Sequence, residues 1–106
     1  CEGDRVVRLS RTIPSEQASG EFIGVMKATP AGAAAIVAAF DRAQAAHPSG
    51  VFREGRTFER AYLIDLLAQM IEDGADVRVV PTHGGYMEID TLEDESLAAA
   101  WWRGEP

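Results

Sequence analysis

An amphipathic repeat in the second half of the chain limits the folds open to it. Between Thr57 and Asp73, apolar residues recur at the spacing of one helix face: Leu63, Leu66, Leu67, Met70 and Ile71. Such a stripe is typical of a helix that buries one side against other elements. Gly74 follows and supplies the left-handed residue that ends many helices. We therefore predict a packed helix over 57–73.

A second helix is predicted over 29–46. Thr29 can cap the first amides, and Pro30 stands where its missing N–H has no cost. The run that follows is rich in alanine and carries its larger apolar residues on one side: Ile36, Val37 and Phe40. A third helix is predicted over 91–102, where Thr91 and Asp94 form an approximate capping box.

Strands are predicted over 5–9, 21–27, 77–80 and 86–90 from short apolar or alternating runs. Gly24 interrupts the second of them and indicates a bulge or the close approach of another group. The resulting order β, β, α, α, β, β, α predicts an α/β protein with a mixed sheet and packed helices. It lacks the regular βαβ alternation of a complete nucleotide-binding unit.

Composition narrows the functional class. The 106 residues are 46% hydrophobic and 25% charged, which is typical of one globular domain. A net charge of −7 without a Lys/Arg cluster argues against nucleic acid as a partner. No apolar run approaches a membrane span, and no signal peptide is visible. We expect a soluble, cytoplasmic protein without a membrane partner.

Several self-contained catalytic motifs do not occur in the sequence. These are GxGxxG, GxxxxGK[ST], CxxC, HExxH and GxSxG. Their absence argues against phosphate-loop, zinc-protease and serine-hydrolase functions carried by this chain alone.

Asp90 is the acidic residue whose position has the clearest chemical meaning. It ends the predicted strand 86–90 and directly precedes the predicted helix over 91–102. A carboxylate there can cap the helix or stay solvated, and it can equally serve as a rigidly held metal ligand. The residues alone leave these alternatives open.

Two longer stretches carry a resemblance: GEFIGVMKATPAGA, and AYLIDLLAQMIEDGADVRVVPTHGGYMEIDTLED. They resemble the C-terminal half of the nucleoside-triphosphate transferase family, the sugar-phosphate and choline-phosphate nucleotidyltransferases. The likeness is greatest to the small bacterial members that also occur fused to phosphoenolpyruvate phosphomutase domains. It spans about Arg5 to Trp102.

The family's N-terminal signature is missing from this chain: GxGxRLxPLT, a downstream PKxL and a metal-binding aspartate. The resemblance therefore implies that residues 1–106 form one domain, the C-terminal portion of a nucleotide-diphospho-sugar transferase-like fold. The N-terminal nucleotide-binding half would lie in a preceding segment. Whether the parent protein is fused to another enzyme domain stays open.

The resemblance also assigns roles to individual residues. Asp90 in MEIDTLED matches the aspartate that gives a second carboxylate to a Mg²⁺ ion bridging the nucleotide phosphates. Glu21 in GEFIGV resembles the acid that contacts the sugar or amino-alcohol group of the acceptor, with a surface charge as its alternative. Gly20 and Gly24 would let substrate approach the backbone, or only relieve crowding.

Tyr62 and Asp65 lie within one helix turn of each other and could line one wall of a substrate pocket. The alternative for Tyr62 is a core residue with its hydroxyl at the rim. Arg8 and Arg11 could meet an acceptor phosphate, although exposed arginines usually have no such role.

The sequence favours an enzyme, part of a nucleotidyltransferase that couples a nucleoside triphosphate to a phosphorylated small molecule with Mg²⁺. The acceptor would be a sugar phosphate, phosphocholine or a phosphonate, and pyrophosphate would leave. Without the N-terminal half, we expect the chain to be inactive. The alternative is a non-catalytic interaction or oligomerisation module, and a homo-oligomer stays open.

Overall fold

The computed structural model describes residues Cys1–Glu105 as helices joined by irregular segments and one small sheet. The helices are α1 (Pro30–Ala46), α2 (Leu63–Glu72) and α3 (Leu92–Trp102), and the strands are β1 (Val51–Arg53) and β2 (Arg56–Thr57). Short 3-10 helices occupy Ser15–Gln17 and Phe58–Arg60. At a coarse level the chain combines helices with a small sheet, as the sequence predicts.

Helix α1 begins as predicted. The Thr29 hydroxyl accepts a hydrogen bond from the Gly32 amide at 3.0 Å, and Pro30 is the first helical residue. The helix ends at Ala46, where the His47 amide still donates to the Ala43 carbonyl at 3.0 Å. Local capping chemistry therefore places both ends of α1.

Helix α2 is shorter than its pattern predicts. It begins at Leu63 instead of Thr57, because Thr57 belongs to β2 and Tyr62 has an extended backbone with ψ 161°. The predicted end is confirmed: Gly74 has φ 98°, and the following Ala75 amide reaches back to the Met70 carbonyl at 2.9 Å.

The core lies between α1 and α2. Its buried members are Ala39 and Ala43 of α1 and Leu66, Leu67 and Met70 of α2. The two alanines give α2 room to approach, so the larger side chains of α2 fill the contact. Partly buried residues complete it: Leu9, Ile36, Phe52, Phe58 and Ala75. Of the apolar side predicted for α1, Val37 and Phe40 remain 61% and 45% exposed.

Residues 1–105 do not pair into the mixed sheet that the sequence predicts. Only a trace of it remains, where the first predicted strand meets the third through an Arg5–Arg78 bridge and a hydrogen bond from the Val6 amide to the Val77 carbonyl at 2.8 Å. The other two strands, 21–27 and 86–90, have no paired neighbour among the residues that the structure describes. Gly24, with φ 85°, breaks the extended course of the first of these.

The sheet that does form lies in a segment predicted to be a loop. Strands β1 and β2 pair antiparallel, with Arg53 opposite Arg56, around a turn at Glu54-Gly55. Both turn residues have positive φ, 48° and 76°, which is the geometry that closes two-residue hairpins with the correct twist. Gly55 adopts it without strain, while Glu54 needs support from its neighbours.

The chain is extended compared with a compact domain. Its radius of gyration is 16.7 Å, whereas a compact chain of this length has about 13 Å. Helix α3 contributes no buried residue. Across residues 1–105, no helix is long and apolar enough to cross a membrane.

Candidate functional site

The most strongly connected charged group lies where the hairpin packs on α2. Arg56 donates through Nε to Asp65 Oδ2 at 3.0 Å and through Nη2 to Asp65 Oδ1 at 2.6 Å. The Tyr62 amide donates to the same Oδ2 at 2.8 Å, which caps the first turn of α2. The Asp65 side chain is only 2% exposed, so this ion pair is largely removed from water.

The protonation state of Asp65 follows from its partners. Burial raises the pKa of a carboxyl group because the charged form loses solvation. The hydrogen bonds from Arg56 and from the Tyr62 amide act in the opposite direction and outweigh it, so the pKa of Asp65 is lowered. Asp65 is therefore an anion at neutral pH, and Arg56 is held in place by it.

Glu54 joins this group from the hairpin turn. One carboxylate oxygen accepts from the Ser10 hydroxyl, and the other accepts from Arg56 Nη2 at 3.0 Å. The hydrogen bond from Ser10 lowers the pKa of Glu54, burial opposes it, and Arg56 adds to the lowering. A left-handed non-glycine residue costs on the order of 1 kcal/mol. These two contacts offset that strain.

The Tyr62 ring lies against two guanidinium groups. The central carbon of Arg11 is 4.2 Å from the ring centroid, and that of Arg56 is 5.0 Å away. Cations at such distances are attracted by the electron-rich face of the ring. Because Tyr62 is 51% exposed, Arg11 is held at the surface rather than inside the protein.

A cleft of about 440 Å³ lies beside this group. Its polar lining consists of Arg8, Ser10, Thr12, Arg53, Glu54 and Glu72. Arg53 pairs with both oxygens of Glu72, through Nη1 at 3.1 Å to Oε2 and through Nη2 to Oε1. The Nε of Arg53 is buried and has no hydrogen-bond partner. The cleft wall thus holds one polar donor that the protein itself does not satisfy.

Tyr62 and Asp65, predicted to line one wall, are brought together, since the amide of one donates to the carboxylate of the other. Both oxygens of Asp65 are already engaged. A substrate would therefore meet Tyr62 and the arginines that Asp65 positions before it meets Asp65. That either residue binds substrate stays a prediction.

Glu21 lies in a different part of the molecule, near the segment that leads to Asp90. The pKa of Tyr86 is raised mainly by partial burial, and the negative charges of Glu88 and Glu21 add to this increase. Glu21 is thus within electrostatic reach of Tyr86. A Cβ built on Gly20 would meet nothing within 4 Å, so crowding does not require a glycine there.

The structure narrows the alternatives for Asp90. The Thr91 hydroxyl accepts from the Asp94 amide at 3.1 Å, and Asp94 Oδ2 accepts from the amides of Thr91 and Asp90 at 3.0 and 3.1 Å. Asp94 is therefore the capping acid of α3, and these amides lower its pKa. Asp90 contributes only its backbone, and its exposed carboxylate has no hydrogen-bond or ion-pair partner within residues 1–105.

No set of three or more His, Cys, Asp or Glu side chains in the described part of the chain is arranged to hold a metal ion. Asp90 is a single carboxylate at the start of a helix, with room around it. A cation bound there would need further ligands from a substrate, from water or from another segment.

The sequence did not single out the residues that organise the cleft: Arg53, Glu54, Arg56 and Glu72. Their signal is the stretch Arg-Glu-Gly-Arg at 53–56, where a polar residue and a glycine stand between two possible strand ends. A two-residue hairpin turn there places Arg53 and Arg56 opposite each other. A glutamate is unusual at the first position of such a turn, so the hairpin was not predicted from the sequence.

No protein-family model, curated protein or solved structure matches this chain. A candidate function therefore depends on the side-chain geometry above and on the sequence resemblance.

Proposed function

We propose that this chain is the acceptor-side part of a nucleotidyltransferase. The enzyme would couple a nucleoside triphosphate to a phosphorylated small molecule: a sugar phosphate, phosphocholine or a phosphonate. An oxygen of the acceptor phosphate attacks the α-phosphorus, the bond from the α-phosphorus to the bridging oxygen breaks, and pyrophosphate leaves with that oxygen. A Mg²⁺ ion would neutralise the charge that develops on the phosphates.

The uncommitted carboxylate of Asp90 is the observation that carries this proposal. Asp94 and Thr91 already cap α3, so the helix does not need the Asp90 side chain. Mg²⁺ takes oxygen ligands and usually combines one or two protein carboxylates with phosphates and waters. A single exposed aspartate at a fixed helix start fits one position of such a shell. The resemblance of MEIDTLED assigns the same residue.

The large exposed area of the chain favours a protein in which another polypeptide segment covers part of this surface. The chain exposes 8248 Å², whereas a compact monomer of this size exposes about 5,800 Å². The excess, roughly 2,400 Å², is in the range that an obligate interface buries. In the proposed enzyme, an N-terminal half that holds the triphosphate covers this surface.

The remaining site residues take supporting roles in the proposal. Glu21 would contact the acceptor, and Gly20 would precede it without blocking its approach. Tyr62 would form part of the acceptor wall. Asp65 would act as a positioning residue, because its oxygens already hold Arg56 and the Tyr62 amide.

The test uses the polypeptide that joins this chain to its proposed nucleotide-binding half. Pyrophosphate release is measured with Mg²⁺, each common nucleoside triphosphate, and phosphocholine, a sugar phosphate or a phosphonate as acceptor. Asp90→Asn should lower the rate by about 100-fold or more, because a metal ligand is lost. Glu93→Gln is the matched control, since Glu93 is an exposed acid in the first turn of α3.

Pyrophosphate release by Asp90→Asn at the rate of Glu93→Gln would overturn the role of Asp90. Absence of release with every triphosphate and acceptor would overturn the enzymatic proposal itself. The isolated chain of 106 residues should be inactive in the same assay, because it would lack the groups that hold the triphosphate.

A second candidate function, an interaction or oligomerisation module, is favoured by the character of the exposed surface. Several large apolar side chains are almost fully exposed: Val25, Val80, Leu92 and Trp102, at 78%, 90%, 82% and 84%. Large apolar side chains left in water to this extent gain free energy when a partner covers them. A partner chain or a second copy could cover it without any catalysis.

Sedimentation equilibrium of the isolated chain over a concentration series separates self-association from the need for a different partner. A module that assembles with itself should form a dimer whose dissociation constant rises in the double variant Val80→Ser, Trp102→Ser. A monomer at all concentrations would exclude self-assembly. The proposed N-terminal half would then be the expected partner for the exposed apolar side chains.

A further inference from the structure

We propose that helix α3 is the surface through which two copies of this chain associate, as an antiparallel helix pair around a two-fold axis. The pair gives self-assembly, the second candidate function, a defined surface and geometry. It does not depend on the proposed nucleotidyltransferase reaction.

One face of α3 carries a large apolar side chain at each end. Positions 92, 95, 96, 99, 102 and 103 follow the spacing i, i+3, i+4, i+7, i+10 and i+11, which places them on one side of a helix. These residues are called the outer stripe below: Leu92, Glu95, Ser96, Ala99, Trp102 and Arg103. Leu92 and Trp102 are 82% and 84% exposed, and no residue of α3 is buried. Residues 1–105 therefore leave both large side chains of the outer stripe almost entirely in water.

The outer stripe is complementary to itself. Leu92 and Trp102 are the first and last residues of the 11-residue helix, so they lie at equal distances from its midpoint. When a second α3 lies antiparallel on this face, with the two-fold axis beside the midpoint, Leu92 of each copy meets Trp102 of the other. A single register thus covers all four large side chains, which is why we choose a second copy as the partner.

Small residues in the middle of the outer stripe let the two helices approach each other. Ser96 and Ala99 lie between Leu92 and Trp102, and large and small side chains at facing positions interdigitate. The Ser96 hydroxyl donates to the Leu92 carbonyl at 3.2 Å, so its proton keeps a partner when water is excluded. The centre of the outer stripe can therefore be covered without leaving a hydroxyl proton unpaired.

The charges of α3 favour the antiparallel orientation. Its first turn carries Glu93, Asp94 and Glu95, and its C-terminal end is followed by Arg103. A parallel pair would bring the acids of both copies together, whereas an antiparallel pair brings Arg103 of one copy towards Glu95 of the other. Arg103 donates to Glu105 through Nε and Nη2, which leaves Nη1 for this contact. The charge of −7 on each copy opposes association, but at 0.15 M salt it is screened beyond about 8 Å.

The size of the contact determines its strength. A helix of 11 residues is about 16 Å long, so two of them bury less than the roughly 1,600 Å² of a standard interface. We therefore expect a weak dimer, with a dissociation constant on the order of 10 to 100 μM.

The first test is sedimentation equilibrium of the chain from about 5 to about 500 μM, a range that brackets the expected dissociation constant. The parent chain should pass from monomer to dimer. Trp102→Ala should raise the dissociation constant at least about tenfold, because the dimer loses the Leu92 contact twice.

Trp101→Ala is the matched control. It removes the same type of side chain from the neighbouring residue, which lies outside the outer stripe, and it should leave the dissociation constant within about twofold of the parent value. Circular dichroism of both variants should equal that of the parent chain. Equal weakening by Trp101→Ala and Trp102→Ala would overturn the pair, and so would a parent chain that stays monomeric throughout.

Cysteine cross-linking tests the orientation and register. Ser96 lies on the outer stripe beside the two-fold axis, whereas Leu97 follows it in sequence and lies on the other side of the helix. Both cysteine variants are made with Cys1→Ser, since Cys1 is an exposed free thiol. A bismaleimide with a two-carbon spacer should link Ser96→Cys into a dimer and should modify Leu97→Cys without linking it. Equal cross-linking of the two variants, or none in either, would contradict the antiparallel pair.

Failure of this pair can be told apart from failure of the proposed enzyme. A dimer whose dissociation constant is unchanged by Trp102→Ala overturns the α3 pair and keeps self-assembly through another surface. A monomer at every concentration overturns the α3 pair and self-assembly together. Pyrophosphate release by the longer polypeptide decides the enzymatic proposal in either case, because Trp102 and Ser96 take no part in the proposed site.

Discussion

Arg56 reaches across the turn to Asp65 and donates to both of its carboxylate oxygens, at 3.0 and 2.6 Å. The contact joins the hairpin to the first turn of α2, and through Asp65 it also fixes the Tyr62 amide. Because Asp65 is 2% exposed, its charge depends on this partner. The pair therefore links the stability of the hairpin to the geometry of the cleft.

Replacing Arg56 should destabilise the fold more than replacing any exposed arginine. Arg56→Met leaves the Asp65 charge buried without its ion-pair partner, and we expect the free energy of unfolding to fall by about 3 kcal/mol. Urea denaturation followed by circular dichroism measures it. Arg60→Met, at an exposed arginine next to the same turn, should stay within about 0.5 kcal/mol of the parent chain. Equal losses in the two variants would show that the ion pair does not stabilise the fold.

Acid should weaken the same link. Burial opposes the charge of Asp65, yet hydrogen bonds from Arg56 and Tyr62 lower its pKa overall. A carboxyl group with a lower pKa in the folded state stabilises the fold above its unfolded pKa, near 3.9, and loses this contribution as pH falls through the folded value. The free energy of unfolding should stay level from about pH 7 to about pH 5, then decrease below about pH 4.

The variant Asp65→Asn separates this residue from the other carboxylates. Arg53 lowers the pKa of Glu72, and Ser10 and Arg56 lower the pKa of Glu54. Protonation of these two glutamates therefore also reduces the free energy of unfolding at low pH. Asp65→Asn should be less stable than the parent chain at pH 7 and should lose less on acidification. Parallel curves for the two proteins would contradict the lowered pKa of Asp65.

The helices could be predicted because their signals are local. Thr29 and Pro30 begin α1, Thr91 and Asp94 begin α3, and Gly74 ends α2, each through contacts within one turn. The start of α2 was missed because its apolar pattern says nothing about the extended residue at Tyr62. Helix ends could therefore be predicted only where the capping residues are close to the helix end in sequence.

Strands depend on a neighbour that a single segment does not reveal. The run 21–27 has the composition of a central strand, yet it contains Gly24 at φ 85° and finds no pairing partner in the described residues. The hairpin was missed because Glu54 adopts a positive φ that is uncommon for its type. What supports Glu54 is Ser10, which lies 44 residues away in sequence.

The candidate site divides in the same way. Tyr62 and Asp65 were predicted to line one pocket wall from their spacing, and the Tyr62 amide donates to the Asp65 carboxylate at 2.8 Å, while the shared pocket wall stays a prediction. Arg56 was missed, because nothing in its sequence separation of nine residues from Asp65 indicates the contact that the hairpin creates. Contacts between residues one helix turn apart can be predicted from sequence spacing. Contacts across a hairpin can be predicted only when the hairpin turn has itself been predicted.

The α3 cap gives a prediction in which two neighbouring aspartates behave differently. Asp94→Ala removes the acceptor of the Asp90 and Thr91 amides, and it should cost the first turn of α3 about 1 kcal/mol. Hydrogen exchange at the amides of residues 90–95 should accelerate accordingly. Asp90→Asn should leave these rates unchanged, since the Asp90 side chain takes no part in the cap. Faster exchange in Asp90→Asn would show that its carboxylate serves the helix after all.

The uneven burial of leucines provides the final prediction. Leu67 is 5% exposed in the contact between α1 and α2, whereas Leu92 is 82% exposed at the start of α3. Leu67→Ala should lower the free energy of unfolding by about 2 to 5 kcal/mol, through lost burial and the cavity it leaves. Leu92→Ala should change it by less than about 0.5 kcal/mol in a monomeric sample. Urea denaturation at two protein concentrations measures both, and a large loss for Leu92→Ala only at the higher concentration would reveal that Leu92 is covered by a second copy.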